Sequence, residues 1–381
     1  LISKKILNKE FISLIFSLLY LLYFPVQRVS LFDFHAVALS TSFFLFALYF
    51  NLVNKNKLYF LFIFLALLTK EHVGLVVIFL GLYLIFVKKR KKIGIITAIL
   101  GLIFFVSTIY FIIPYFRGTE HFALRYFEDF GDSPSSIFIN FFKHPLVVIR
   151  TVFKLEVFNY LSRMILPLFY SVFSPFSFLI TLPEWAINIL SINSNMRSIF
   201  FHYNSIIVSF LFYSLILGYK NFYQIVKNKK LQVTFFAVFI FLNLRSIYLY
   251  NPVPYFVKQP VNYRETDSIT KKSLETWTKI LKDDEIKVST TPKLAPFFTN
   301  RRYYHNFLYD SAYSVMGLVD DDIISTIDDY KEVNYVIIYK PEIGDLDSGT
   351  LPVKFYQKLR DDHDFKMIFS DDNDIEVYKK I

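Results

Sequence analysis

Residues 58–87 read LYFLFIFLALLTKEHVGLVVIFLGLYLIFV, and this stretch decides the class of fold. Apolar runs without a single charge flank Lys70-Glu71-His72 on both sides. A helix rises about 1.5 Å per residue and a bilayer core is about 30 Å thick. The stretch is therefore too long for one crossing and suits two short helices that meet at a polar apex. Similar runs lie on either side of it: Phe11 to Phe24, Ala36 to Val53, Ile93 to Ile113, Ile206 to Gly218 and Val233 to Leu249, with a Pro-broken pair across Leu161 to Leu190. With the two halves of residues 58–87 they predict roughly nine crossings.

Composition agrees. The 381 residues are 54% hydrophobic and only 19% charged, and the mean hydropathy is +0.40, values that exclude an ordinary soluble domain. Charge divides the chain in two. Residues 1–260 hold 25 Lys and Arg against 9 Asp and Glu, whereas residues 261–381 hold 17 against 23. The expected architecture is a polytopic α-helical membrane bundle over 1–260, of about 8–9 spans, followed by a small soluble α/β domain over 261–381. In that domain Trp277 to Leu281 reads as helix, Ile286 to Ser289 and Val333 to Tyr339 as strands, Val353 to Leu359 as helix, and Phe365 to Phe369 with Ile375 to Tyr378 as a closing hairpin.

The basic excess sits in clusters between apolar runs, at Lys4/Lys5/Lys9, Lys55/Lys57, Lys88 to Lys92 and Lys220 to Lys230. These are alternate helix ends, as the positive-inside bias requires of a cytoplasmic face, so no nucleic-acid partner is implied. Parity then places Gln27 to His35, Lys70 to His72, Pro114 to Asn159 and everything after about Tyr250 on the outer face. Between Phe116 and Lys154, Phe and Tyr alternate with Arg117, Arg125, Lys143 and Arg150, a pattern of amphipathic helices lying in the interface plane. The chain has no Cys, which excludes disulfides and a thiol nucleophile. It begins at Leu1 with no cleavage site after the first apolar run, and the expectation is a fragment whose start lies upstream.

Charges within or at the edge of apolar spans mark a functional interior by default. Asp33 and His35 open the run that ends at Val53, and Lys70-Glu71-His72 forms the apex. The plainer account of the apex is a Lys70–Glu71 pair snorkelling to the interface. A second polar set comprises Glu184, Asn188, Asn193, Asn195, Arg197, His202 and Tyr203. Arg197 suits a pair of phosphate oxygens because its fork binds two at once; His202-Tyr203 reads equally well as an interfacial pair opening a helix. The acidic clusters at Asp320 to Asp322, Asp361/Asp362/Asp364 and Asp371/Asp372/Asp374 lack the calcium-loop spacing and read as turns.

These residues carry a resemblance. Phe32-Asp33-Phe34-His35, Lys70-Glu71 with Gly74 and Gly81-Leu82-Tyr83, Pro114-Tyr115-Phe116, Leu182-Pro183 with Asn188-Ile189-Leu190-Ser191, Arg197, His202-Tyr203 and Val333-Asn334-Tyr335-Val336 follow one another in the order seen in a family. The sequence resembles the predicted prokaryotic membrane proteins of domain of unknown function 2079, grouped with the GT-C superfamily of polytopic glycosyltransferases. It departs from them at Ala36 and Val37, where members often have Pro and Glu, and at His72, where they have Asp. The resemblance implies a GT-C-like bundle in the prokaryotic plasma membrane with an extracytoplasmic C-terminal domain. The implied reaction is transfer of a sugar from a polyprenyl-phosphate donor to a glycan, lipid or protein acceptor.

On that reading Asp33 and Glu71 are the catalytic carboxylates, although relatives carry an earlier outer-loop acid that this fragment would lack. His35, Lys70, Tyr115, Arg117, Arg197, His202 and Tyr203 bind substrate. No cofactor is assigned, no metal ligand is named, and a divalent metal remains an alternative because no ligand cluster has a diagnostic spacing. Two other classes stay open: a transporter or flippase using the same charges as a substrate path, and a scaffold whose outer domain recruits a partner.

Overall fold

The computed structural model describes residues 1–32, 34–117, 122–131, 133–252, 257–258, 268–307, 329–346, 350–371 and 374–381. It divides into two compact units, Leu1–Val261 and Asn262–Ile381.

The first unit is helical. In chain order it contains α1 (Ile2–Leu7), α2 (Glu10–Leu21), α3 (Phe24–Leu31), α4 (Val37–Leu52), α5 (Asn56–Leu67), α6 (Val73–Phe86) and α7 (Lys91–Ser107), which runs on through a π-helical turn at Thr108–Ile112 to Arg117. Three shorter helices follow, α8 (Pro134–Lys143), α9 (Pro145–Val152) and α10 (Leu155–Ile165), then a broken stretch, then α11 (Leu182–Leu190), α12 (Ser205–Ile225) and α13 (Lys229–Tyr250). Local signals set several ends. The side chain of Asn228 accepts from the N–H groups of Lys230 and Leu231 and caps α13. Ser133 and Ser136 form a capping box on α8.

Three described helices are long and apolar enough to cross a membrane, Lys91–Phe116, His202–Ile225 and Lys229–Tyr250, and α2 with α3 forms a fourth candidate bent by 42°. Of the roughly nine crossings expected, those at α4, α5, α6 and Pro175–Leu190 are shorter apolar helices. At about 1.5 Å per residue, the 12 residues of α5 reach well short of a bilayer core. The two crossings expected within 161–190 are replaced by α10, the 3₁₀ segment Leu166–Phe173, short turns at Pro175–Phe178 and Leu179–Thr181, and α11. Pro167, Pro175 and Pro183 each stand at the start of one of these pieces, where proline is tolerated and where it ends the helix before it.

Burial separates the long helices. The window of α12 is 83% buried, against 17% for α7 and 22% for α13, so α12 is the central post of the bundle and the other two present apolar side chains outward. Phe44 of α4, Tyr170 of the broken stretch, Phe210 and Phe222 of α12 and Phe239 of α13 are fully buried in one core. Helices α6 and α7 pack backbone to backbone. A Cβ on Gly81 would lie 2.7 Å from the Gly94 carbonyl oxygen, and one on Gly101 would lie 2.6 Å from that of Gly74. Small residues at a seven-residue interval on both helices permit this approach. Gly81→Val is expected to destabilise the bundle by about 1–3 kcal/mol through overpacking, read as a lowered melting midpoint in detergent; an unchanged midpoint would mean that the helices separate freely.

The second unit carries a five-stranded sheet in the order β2-β1-β3-β5-β4, with β1 (Val288–Thr290), β2 (Tyr304–Asn306), β3 (Tyr335–Tyr339), β4 (Phe365–Ser370) and β5 (Ile375–Lys380). Strand β1 runs parallel to β2 and β3, and β5 is antiparallel to β3 and β4. Alternate residues of β3 enter different cores: Val336 and Ile338 join Val353 and Leu359 of α15 (Leu351–Asp361), whereas Ile337 joins Leu274 and Trp277 of α14 (Ser268–Ile280). The predicted strands, helices and closing hairpin are present, and the short β2 is additional.

Of the acidic clusters, Asp320 to Asp322 lies outside the described residues. Asp371 accepts the N–H groups of Asp374 and Ile375 at the hairpin tip. Asp362 accepts from Tyr330 Oη and from the Asp364 N–H. Burial works against ionisation of Asp362, but these hydrogen bonds together with Lys331 hold its carboxyl below the usual range.

Candidate functional site

The loop 68–72 joins α5 to α6 and presents Lys70, Glu71 and His72. Lys70 Nζ lies 3.4 Å from Glu71 Oε2, and His72 Nδ1 lies 3.5 Å from Glu71 Oε1. The other imidazole nitrogen, Nε2, lies 3.3 Å from Glu184 Oε1. One imidazole thus bridges two carboxylates from different parts of the chain. Burial alone would lower the pKa of His72, but the charges and hydrogen-bonding contacts of Glu184 and Glu71 outweigh it and raise the value to about 10.

Glu184 enters the cluster because Pro183 starts α11 and places the acid in its first turn, where an anion also suits the helix dipole. It is buried, with the residue 2% exposed. One turn further on, Asn188 donates from Nδ2 to Tyr160 Oη (3.1 Å) and to the Tyr203 carbonyl (3.1 Å). Tyr160 Oη donates to Asn204 Oδ1 at 2.6 Å, and Asn204 Nδ2 donates to the Ser198 carbonyl at 2.9 Å. This network fastens α10, α11 and the segment before α12 to one another.

Next to it, His35 and His202 stack at 3.7 Å with their rings 16° apart, Phe32 tilts against both, and Tyr203 lies 4.3 Å from His202. His202 is within electrostatic reach of His35, Lys70 and His72, and Tyr160 is within reach of Glu184. His35, Lys70, Glu71, His202 and Tyr203, separated by up to 168 positions in sequence, therefore occupy one neighbourhood with His72 and Glu184.

The remaining candidates stand elsewhere. Arg197 is nearly buried and both terminal nitrogens of its guanidinium are engaged: Nη2 pairs with Glu156 Oε1 at 3.0 Å, and Nη1 donates to the carbonyls of Ile189 and Ser191. It ties the C-terminal end of α11 to α10. Tyr115 is exposed and sits edge-on to Phe116. Asp33 and the Arg117 side chain lie outside the described residues.

Two partners escaped assignment in the sequence. Glu184 is an isolated acid between Leu182-Pro183 and Trp185 in an apolar stretch, a signal that marks function without saying what the acid meets. Glu156 left no signal, because an acid on an amphipathic helix is ordinary. Among the described residues no group of three or more His, Asp or Glu is arranged to hold a metal ion.

A family model described as "Predicted membrane protein (DUF2079)" matches residues 1–356. No curated protein and no solved structure matches the chain.

Proposed function

The chain belongs to the DUF2079 family of predicted membrane proteins, and from that premise we propose that it is a multi-pass plasma-membrane glycosyltransferase of the GT-C type. It transfers a sugar from a polyprenyl-phosphate donor to a glycan, lipid or protein acceptor on the outer face, where the C-terminal unit also lies. The observation that carries this reading is the Lys70–Glu71–His72–Glu184 cluster, set at the ends of short apolar helices where an isolated charge would be costly. A lipid-phosphate donor requires a cation for its phosphate and a carboxylate for the proton of the attacking hydroxyl. Lys70 is the half-exposed cation of the cluster, its side chain 41% accessible. Arg197, engaged with a carboxylate and two carbonyls, serves the scaffold instead. His35, His202 and Tyr203 supply an aromatic wall beside the charges.

The test uses the purified chain in liposomes with polyprenyl-phosphate glucose, mannose and galactose, measuring release of polyprenyl phosphate. Lys70→Ala is expected to raise KM for the active donor about ten- to a hundredfold, the loss of one charge-assisted contact of about 1.5–3 kcal/mol. Movement of substrate across the liposome without any covalent product would sink the transferase reading in favour of a flippase.

A further inference from the structure

We infer that α8, α9 and the start of α10 form a shelf that lies flat on one face of the bilayer, with the phospholipid headgroup region as its partner. The residue pattern between Phe116 and Lys154 predicts helices in the interface plane; the geometry adds the depth at which they lie and the side that meets lipid. The inference concerns the membrane and holds whatever reaction the protein performs.

Depth follows from α7. Its helical run starts at Lys91-Lys92, and Tyr110 stands 19 residues after Lys91. At about 1.5 Å per residue this is about 28 Å, close to the thickness of a bilayer core. Tyr110 therefore marks the far boundary of the hydrocarbon, where tyrosine is favoured. Its Oη lies 2.9 Å from Ser135 Oγ in the first turn of α8. The outward apolar face of α7 thus continues into the shelf at boundary depth.

The three helices have 10, 8 and 11 residues, reach about 12–17 Å each, and are too short to cross. One side of them is anchored. Ile137, Phe141, Val147 and Val148 pack on the bundle core, Asn140 donates from Nδ2 to the Phe130 carbonyl at 2.8 Å, and Val157 and Tyr160 of α10 are buried. A helix that covered the core from water would turn polar residues outward on its other side. Here Phe138, Phe142, Leu146, Ile149, Phe153 and Phe158 are each at least half exposed. Lys143, Arg150 and Lys154 stand exposed among them.

Water disfavours so many apolar side chains in one patch, and the hydrocarbon interior disfavours the three cations. The boundary satisfies both. Rings and aliphatic chains enter the top of the acyl region, about 5–10 Å deep, while the flexible Lys and Arg stems carry their charges back to the lipid phosphates.

The test uses the full chain in liposomes of phosphatidylcholine and phosphatidylglycerol. The chain has no cysteine, so F142C and F153C each carry a single fluorophore. Phospholipids bearing a nitroxide at the headgroup, near the top of the acyl chain or at its end quench the fluorophore according to depth. The nitroxide near the top of the chain is expected to quench most at both positions, and the headgroup nitroxide most at K154C. Strongest quenching from the chain end would mean deep insertion and overturns the shelf. Quenching by aqueous iodide in place of lipid overturns it too, as does shielding from both, the result expected if a second copy or another protein covers this face. The measurement needs no turnover, so its failure and that of the transferase reading are told apart.

Discussion

Gly218→Ala is expected to destabilise the bundle strongly, although alanine is the better helix former. In an exposed helix the exchange would stabilise by about 1 kcal/mol. At position 218 of α12, however, a Cβ would sit 1.8 Å from the carbonyl oxygen of Tyr170 and 2.8 Å from its carbonyl carbon. The obstacle is backbone rather than a side chain that can swing aside, so the helix and the 3₁₀ segment Leu166–Phe173 must separate. The core around them includes Tyr170 and Phe222, whose ring centroids are 5.1 Å apart. Overpacking of this kind costs about 1–3 kcal/mol or more, enough to reverse the gain in propensity.

The control lies one turn earlier. Ser214 is fully buried, and its hydroxyl has no hydrogen-bond partner among the described residues. Ser214→Ala should therefore leave the melting midpoint in detergent unchanged or raise it. A higher midpoint for Gly218→Ala than for the parent would show that α12 does not press on the Tyr170 carbonyl.

Arg197→Ala is expected to cost about 1–3 kcal/mol, the range for leaving buried acceptors without their donor, since Glu156, its side chain half exposed, can turn to water. The substitution removes the ion partner of Glu156 and strips the carbonyls of Ile189 and Ser191 of their donor, freeing the end of α11 from α10. Arg197→Lys should rescue little, because a single ammonium cannot reproduce the fork that serves a carboxylate on one nitrogen and two carbonyls on the other. Hydrogen exchange over 186–198 should accelerate in both variants. A loss of donor binding with stability and exchange unchanged would instead make Arg197 a phosphate ligand, the role its chemistry suggests from sequence.

That pair of readings shows where sequence stops. Residues 58–87 declare two apolar helices and a charged apex, because every side chain in them must satisfy either hydrocarbon or water, and this constraint is local. The strands and helices of the C-terminal unit are legible for the same reason: the apolar run of β3 and the turn residues of the hairpin are local patterns. Membrane class and the concentration of charge at Lys70, Glu71 and His72 followed from the chain alone.

Partnership did not. The same guanidinium that fits a phosphate also fits a carboxylate and two carbonyls, and only the approach of α10 to the end of α11 decides between them. Likewise Glu71 and Glu184 are the same chemical group in apolar surroundings. The chain itself sets Glu71 between Lys70 and His72, whereas only tertiary packing brings Glu184, from a different helix, to the other imidazole nitrogen. Hydrophobic pattern is written residue by residue, whereas the environment of a buried charge is set by neighbours more than a hundred positions away, and that environment decides what the charge does.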